Sequence, residues 1–325
     1  TSPTNIGMLL LANLAAYDFG YITAGELLQL TENTLNSMEK LERYHGHFYN
    51  WYDTRTLMPL HPQYVSTVDS GNLAGSLLTL QAGLLELKNQ PVLAVNAFQG
   101  LQDTLLVLTE HITVDAVKEH AGKIKHIKAL LNSLTHTKYS TDAYSKILIE
   151  TNRLLVEIQS AGEALLSALP LDTDMNSEPH YWVKSFNQQC KMILDDIKFV
   201  VLRPHHYNNI PTLLELATEK ISGIENLWLV SAASISASSN SNATERLNII
   251  DTLVARCHEL AIMDFEFLYD TSCGLLTIGY DVGERRRDVS CYDLLASEAR
   301  LASYLVIAQG QVPQKHWFSL GRLLT

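Results

Sequence analysis

The 325-residue sequence has only four cysteines, Cys190, Cys257, Cys273 and Cys291, and no C-x-x-C pair. Thiols scattered in this way read as reduced groups in a reducing compartment, not as a disulfide frame or a zinc site. Cations are also scarce: 24 Lys and Arg face 35 Asp and Glu, a formal charge of −11. Nucleic-acid binding needs clustered Lys and Arg against phosphate, so the balance argues against that class. No apolar run reaches the about 18 residues a bilayer-spanning helix requires. The first apolar stretch, "MLLLANLAAY", has no basic region ahead of it and is not a convincing signal peptide. G-x-S-x-G, Walker A and G-x-G-x-x-G are absent. "CHELAIMD" has His258 and Glu259 but no second His one turn later, and the pairs His45/His47 and His205/His206 lack a third ligand. No metal and no cofactor are expected. The chain begins without Met and stops at "LGRLLT", which reads as a piece of something longer.

Apolar residues make up 46% of the chain, enough for a sizeable core. Helical spacing of these residues dominates. "NIGMLLLANLAAYDFG" ends in Gly20, a natural helix stop, and Thr23 with Glu26 forms a T-x-x-E box for the next helix. Helices are predicted at roughly 66–88, 92–110, 113–135, 141–168, 178–202, 211–233, 243–264 and 288–309. Residues 168–180 read as a connector, and the Ser-rich 231–242 as a loop or flexible tip. The clear strand signal is 265–282, where two β-rich runs flank a turn at Ser272, Cys273 and Gly274. The expected class is all-α, in helical hairpins, with one small β-hairpin near 265–282.

Three stretches suggest chemistry. The connection within 45–75 carries Phe48, Tyr49, Trp51 and Tyr52 among Asn50, Asp53 and Arg55. Flat rings beside hydrogen-bonding groups suit a sugar, apolar on its faces and polar at its rim. The alternative is a surface loop pinned by its own aromatics. In "VDSGNLAG", Asp69 and Asn72 open a helix, with Gly71 and Gly75 allowing close backbone approach; ordinary capping by Asp69 or Ser70 is the competing reading. In "YDLLASEARLASYLVIAQG", Glu298 shares helical spacing with Leu294, Leu301 and Leu305, and Ser290 with Asp293 looks like the helix start. A carboxyl held among apolar groups has a raised pKa, which suits a general acid. A salt bridge to one of Arg285, Arg286 or Arg287 is the alternative.

"TSPTNIG", "HFYNWYDTRTLMPL", "YVSTVDSGNLAG", "GYDVGERRRDVSCYDLLASEARLASYLVIAQGQVP" and "HWFSLGR" together resemble the middle region of bacterial cyclic β-1,2-glucan synthases. The helices between about 85 and 260 do not carry the likeness. The resemblance implies a glycoamylase-like (α/α)6 toroid over residues 1–325, without its C-terminal part. It implies retaining transglycosylation that closes linear β-1,2-glucan into a ring, with Glu298 as general acid/base. The family's nucleophile motif, a "G-I-S-E"-like segment, does not occur before Thr325, so this region alone is expected to be inactive. The expected substrate-binding residues are Tyr49, Trp51, Tyr52, Asp53, Arg55, Asp69, Asn72, Arg286, Tyr292 and Asp293. Linear and cyclic β-1,2-glucan and the flanking domains of the same polypeptide are the expected partners, at the cytoplasmic face of the bacterial inner membrane. An endo-β-1,2-glucanase and a non-catalytic helical scaffold remain the alternatives.

Overall fold

The computed structural model describes residues 1–93, 96–111, 114–136, 144–168, 178–200, 210–218 and 230–322. In chain order the elements are α1 (Pro3–Asp18), α2 (Ala24–Met38), β1 (Arg43–Tyr44), β2 (His47–Phe48), β3 (Tyr64–Ser66) and α3 (Thr67–Leu87). Then come α4 (Asn96–His111), α5 (Val114–His136), α6 (Tyr144–Ala168), α7 (Glu178–Val200), α8 (Leu213–Thr218) and α9 (Val230–Ala261). The last part holds β4 (Tyr269–Asp270), β5 (Leu275–Leu276), β6 (Gly279–Asp281), β7 (Arg286–Arg287), α10 (Arg300–Ala308) and α11 (Lys315–Ser319). The chain is mostly helical, as expected. It divides into two compact units, one of Thr1–Leu14, Leu30–Leu85 and Asp251–Thr325, the other of Ala15–Gln29 and Glu86–Ile250.

The second unit is built on α4, α5, α6 and α7, each packed on its sequence neighbour, with α4 also on α7. Its core repeats at helical spacing: Phe98, Leu101, Leu105 and Leu108 on α4 meet Leu155 and Ile158 of α6 and Val183, Phe186 and Cys190 of α7. Gly20 takes a left-handed φ of 77° after α1, the helix stop its position implied. Thr23 Oγ1 accepts the Glu26 N–H at 3.3 Å, so the predicted N-cap of α2 forms. A mostly buried ion pair joins Arg246 to Asp196 at 2.5 Å, and the guanidinium lies 4.6 Å from the centre of the Phe199 ring.

Two of the helix boundaries are corrected here. The Ser-rich stretch 231–242 is not a loop but the first third of α9. It contains no Gly or Pro, its alanines favour helix, and serine costs only a fraction of a kcal/mol per residue. Of the predicted helix 211–233, residues Leu213–Thr218 form α8, while 219–229 lie outside the described residues, as does most of the connector 168–180.

The first unit holds the β structure, and there is more of it than one hairpin. The turn expected at 272–274 exists, but it joins only β4 to β5. β6 instead pairs antiparallel with β3, with Val65 opposite Tyr280, and with β7, giving the order β3-β6-β7. A third, two-stranded sheet, β1-β2, turns through His45 and Gly46, both with positive φ. Tyr44 stacks on Tyr280, and Phe267 meets both rings edge-on. The partner of the second β-rich run lies some two hundred residues upstream, beyond reach of a local pattern.

Candidate functional site

Glu298 does not sit where helical spacing places it. α10 starts at Arg300, and residues 298–299 form the turn before it. The preceding residues are committed elsewhere: Leu295 N–H donates to the Gly321 carbonyl at 2.9 Å, and the Asp293 carbonyl accepts from Gly321 N–H at 2.6 Å. Backbone groups paired with 321 cannot also close helical turns, so a helix over 288–309 is excluded. The expected caps, Ser290 and Asp293, are not used; the α10 N-cap is Ala299, with no side-chain hydrogen bond. Glu298 is exposed, and Leu301 is 44% exposed, so no continuous greasy face surrounds the carboxylate. The desolvation implied by the leucine pattern is therefore missing.

What surrounds Glu298 is polar and organised by Tyr292. The Tyr292 hydroxyl donates to Glu298 Oε1 at 3.4 Å. Burial and then the Glu298, Asp69 and Asp288 carboxylates push this phenol up to about 12. Asp288 in turn accepts a short hydrogen bond from the Tyr64 hydroxyl. Three carboxylates thus act on one tyrosine. Tyr64 and Asp288 were not expected from sequence; they stand 224 positions apart, and only the β3-β6-β7 register joins them.

Asp69 and Asn72 lie in the first turns of α3. Ser66, not Asp69 or Ser70, caps this helix, accepting the Asp69 N–H at 3.2 Å. Asp69 Oδ1 accepts from Thr4 N–H at 3.4 Å, and Asn72 Nδ2 donates to Thr4 Oγ1 at 3.3 Å. Gly71 and Gly75 behave as expected: a Cβ on Gly71 would lie 2.3 Å from the Ala302 Cβ, and one on Gly75 2.9 Å from Leu301. α3 and α10 therefore touch through their backbones, just beyond the Glu298 turn.

The aromatic stretch splits into supports and surface. Tyr52 is 1% exposed, and its hydroxyl donates to the Glu42 carbonyl at 2.6 Å and accepts the Tyr49 N–H at 2.7 Å. Burial raises its pKa well above the ordinary phenol value. Tyr49 is 3% exposed. Neither ring offers a face to a sugar, which corrects both as stacking residues. Trp51, by contrast, is 51% exposed. Asp53 closes a tight turn, accepting from Thr56 and Arg55 N–H groups, and these bonds lower its carboxyl pKa. Arg55 and Arg286 are exposed, Arg286 on β7 opposite Asp281. Asp293 is exposed as well.

The cavity lined by Tyr17, Thr23, Asp196 and Arg246 and the groove beside Tyr181 and Trp182 contain none of the expected site residues. Asp270, Cys273 and Cys291 form a group of metal-competent donors. No helix among the described residues is long and apolar enough to cross a membrane.

No protein-family model matches the chain. It is 32% identical, over 334 aligned residues covering 99% of its length, to the cyclic beta-(1,2)-glucan synthase NdvB of Rhizobium meliloti strain 1021. The chain spans 10% of the length of that protein. The likeness carried by the five segments is thus borne out: from end to end, this chain is similar to one stretch of a cyclic β-1,2-glucan synthase.

Proposed function

We propose that this chain is the ring-closing, glycoamylase-like region of a cyclic β-1,2-glucan synthase, with Glu298 as its general acid/base. The end-to-end similarity to NdvB carries this reading. The polar surroundings of Glu298 support it: the carboxylate is open to solvent and within reach of the Tyr292 hydroxyl, on which the Asp69 and Asp288 carboxylates also act. In this reading the chain supplies part of an (α/α)6 toroid that presents the site to the glucan.

The chemistry is retaining transglycosylation. A second carboxylate attacks the anomeric carbon while Glu298 gives its proton to the departing glycosidic oxygen. Glu298, now ionised, takes the proton of a hydroxyl at the chain's own non-reducing end. That oxygen attacks the glycosyl-enzyme, the ring closes and the second carboxylate is released. Closure outruns hydrolysis when this hydroxyl is held closer and better aligned than water. Trp51, Asp53, Arg55, Asp69, Asn72, Arg286 and Asp293 are the residues assigned to glucan contact, and Tyr292, expected among them, is assigned to orienting Glu298.

The exposure of Glu298 also favours a second reading, a non-catalytic helical scaffold that organises neighbouring enzyme domains. One product assay separates the two. Glu298→Gln is placed in the complete synthase polypeptide and linear β-1,2-glucan is supplied. Loss of a general acid/base lowers ring formation by roughly 10²–10⁴-fold. Full ring formation in the variant transfers the assignment to the scaffold. New reducing ends without rings in the wild type point to an endo-β-1,2-glucanase.

A further inference from the structure

We infer that Asp270, Cys273 and Cys291 form a binding site for one soft divalent cation of the zinc class. Asp270 and Cys273 lie on the β4-β5 hairpin, and Cys291 lies on the backbone bridge to Thr277. One carboxylate oxygen and the two sulfurs all fall within 4.8 Å of one another. The sulfurs are 3.8 Å apart. Two thiolates about 2.3 Å from one ion, at a tetrahedral angle, are separated by about 3.8 Å. The pair therefore already has the spacing of a shared tetrahedral ion, whereas a disulfide needs about 2.05 Å.

The carboxylate distinguishes the two chemistries further. It has no part in a disulfide, and beside two sulfurs it opposes their ionisation; a shared cation gives all three donors a common partner. Asp270 is also held in place: its Oδ1 accepts from the Ser272 N–H at 2.8 Å and the Ser272 hydroxyl at 2.6 Å. Outer hydrogen bonds of this kind orient ligating carboxylates. Thiolate donors select zinc over magnesium or calcium. Cys273 is exposed and Cys291 half-buried, so an ion enters directly from solvent. Binding releases both thiol protons, forms two metal–sulfur bonds and one metal–oxygen bond, and leaves the fourth position to water. The ion clips the β4-β5 turn to the segment that runs into Tyr292. The cysteines stand 18 positions apart, a spacing that no short metal motif describes.

The test titrates the full chain, reduced with a non-chelating phosphine, with Zn²⁺ by calorimetry and with Co²⁺ by absorption. One ion binds per chain, and Co²⁺ produces a thiolate-to-metal charge-transfer band with intense tetrahedral visible bands. Cys273→Ser and Cys291→Ser each weaken Zn²⁺ binding by at least tenfold, and Asp270→Asn weakens it less. The Co²⁺ spectrum of the wild-type chain reports even if a variant fails to fold. No saturable site, a Co²⁺ spectrum without the thiolate band, or unchanged affinity in the folded Cys291→Ser variant overturns the assignment. So does recovery of the two sulfurs bonded to each other after thiol blocking at lysis.

Discussion

Lowering the pH from 7 to 5 weakens the first unit through His47. This histidine is fully buried on β2 and held at both ring nitrogens. Nε2 lies 2.6 Å from the Asp264 carbonyl oxygen, which can only accept, so Nε2 carries the hydrogen. Nδ1 then accepts from the Ser70 hydroxyl at 2.8 Å. Burial pushes the imidazole from 6.5 down to about 4, against the opposing influence of Asp264. In the unfolded chain the ring takes a proton below about pH 6.5, while the folded ring refuses it down to about 4. The unfolded state thus binds more protons across this window, and stability rises with pH there. The contribution is fully present above about 6.5 and fades as the pH falls to about 4, amounting to about 3 kcal/mol in all and about 2 kcal/mol by pH 5. Urea unfolding at pH 7 and 5 measures it. His47→Gln, whose amide can keep both hydrogen bonds without titrating, loses about 2 kcal/mol less over that interval. Proton–carbon NMR of the ring gives the direct readout. A His47 resonance titrating with a midpoint at 6 or above refutes the argument, because a ring that charges there is not desolvated as the structure places it.

Four substitutions test the packing, three in the first unit and one, at Arg246, in the second. Tyr52→Phe orphans the buried Tyr49 N–H and costs about 2 kcal/mol; a lowered urea midpoint with unchanged glucan affinity in the complete synthase is expected, and the converse result returns Tyr52 to the substrate. Gly71→Ala drives a methyl against the Ala302 backbone and costs about 1–3 kcal/mol in thermal unfolding. Gly75→Ala costs less, because the Leu301 side chain it meets can turn aside, and equal costs would show that the helices do not meet backbone to backbone. Arg246→Met strands the Asp196 carboxylate and costs about 3–5 kcal/mol, most of it regained in the Arg246→Met, Asp196→Leu double variant; no recovery would show that the cost lies elsewhere than in the unpaired charge.

The helices were legible wherever local spacing and final environment agree. α4 through α7 bury their periodic leucines on each other, and Gly20 and Thr23 end and start helices by backbone geometry alone. The prediction failed where a distant segment claimed the backbone. β6 abandons its predicted hairpin for β3, because Tyr64, Val65 and Ser66 supply the edge it needs. Residues 293–295 abandon their predicted helix for the same reason, pairing with Gly321. Leu294, Glu298, Leu301 and Leu305 do share helical spacing, but spacing says nothing of competition for hydrogen bonds.

The same competition shapes the candidate site. A mid-helix Glu298 would have its rotamers limited by the preceding turn and its neighbours fixed at one turn's distance. In the turn before α10 it is freed from that lattice, and its partner becomes Tyr292, six residues back, a separation that suits neither a helix face nor a strand face. Tyr292 is held in turn by its backbone N–H to Leu276, at 2.9 Å, and thereby by the β4-β5 hairpin. The acid is exposed while its phenolic neighbour is anchored, and α3 meets α10 at Ala302 through Gly71. Replacing Tyr292 with Phe keeps that backbone anchor and removes only the hydroxyl that meets Glu298. If Glu298 is the acid/base, Tyr292→Phe lowers the ring-closing rate of the complete synthase and leaves the affinity for linear glucan nearly unchanged, a loss in kcat and not in KM. Equal loss in both would make Tyr292 a glucan contact instead of the group that orients the acid.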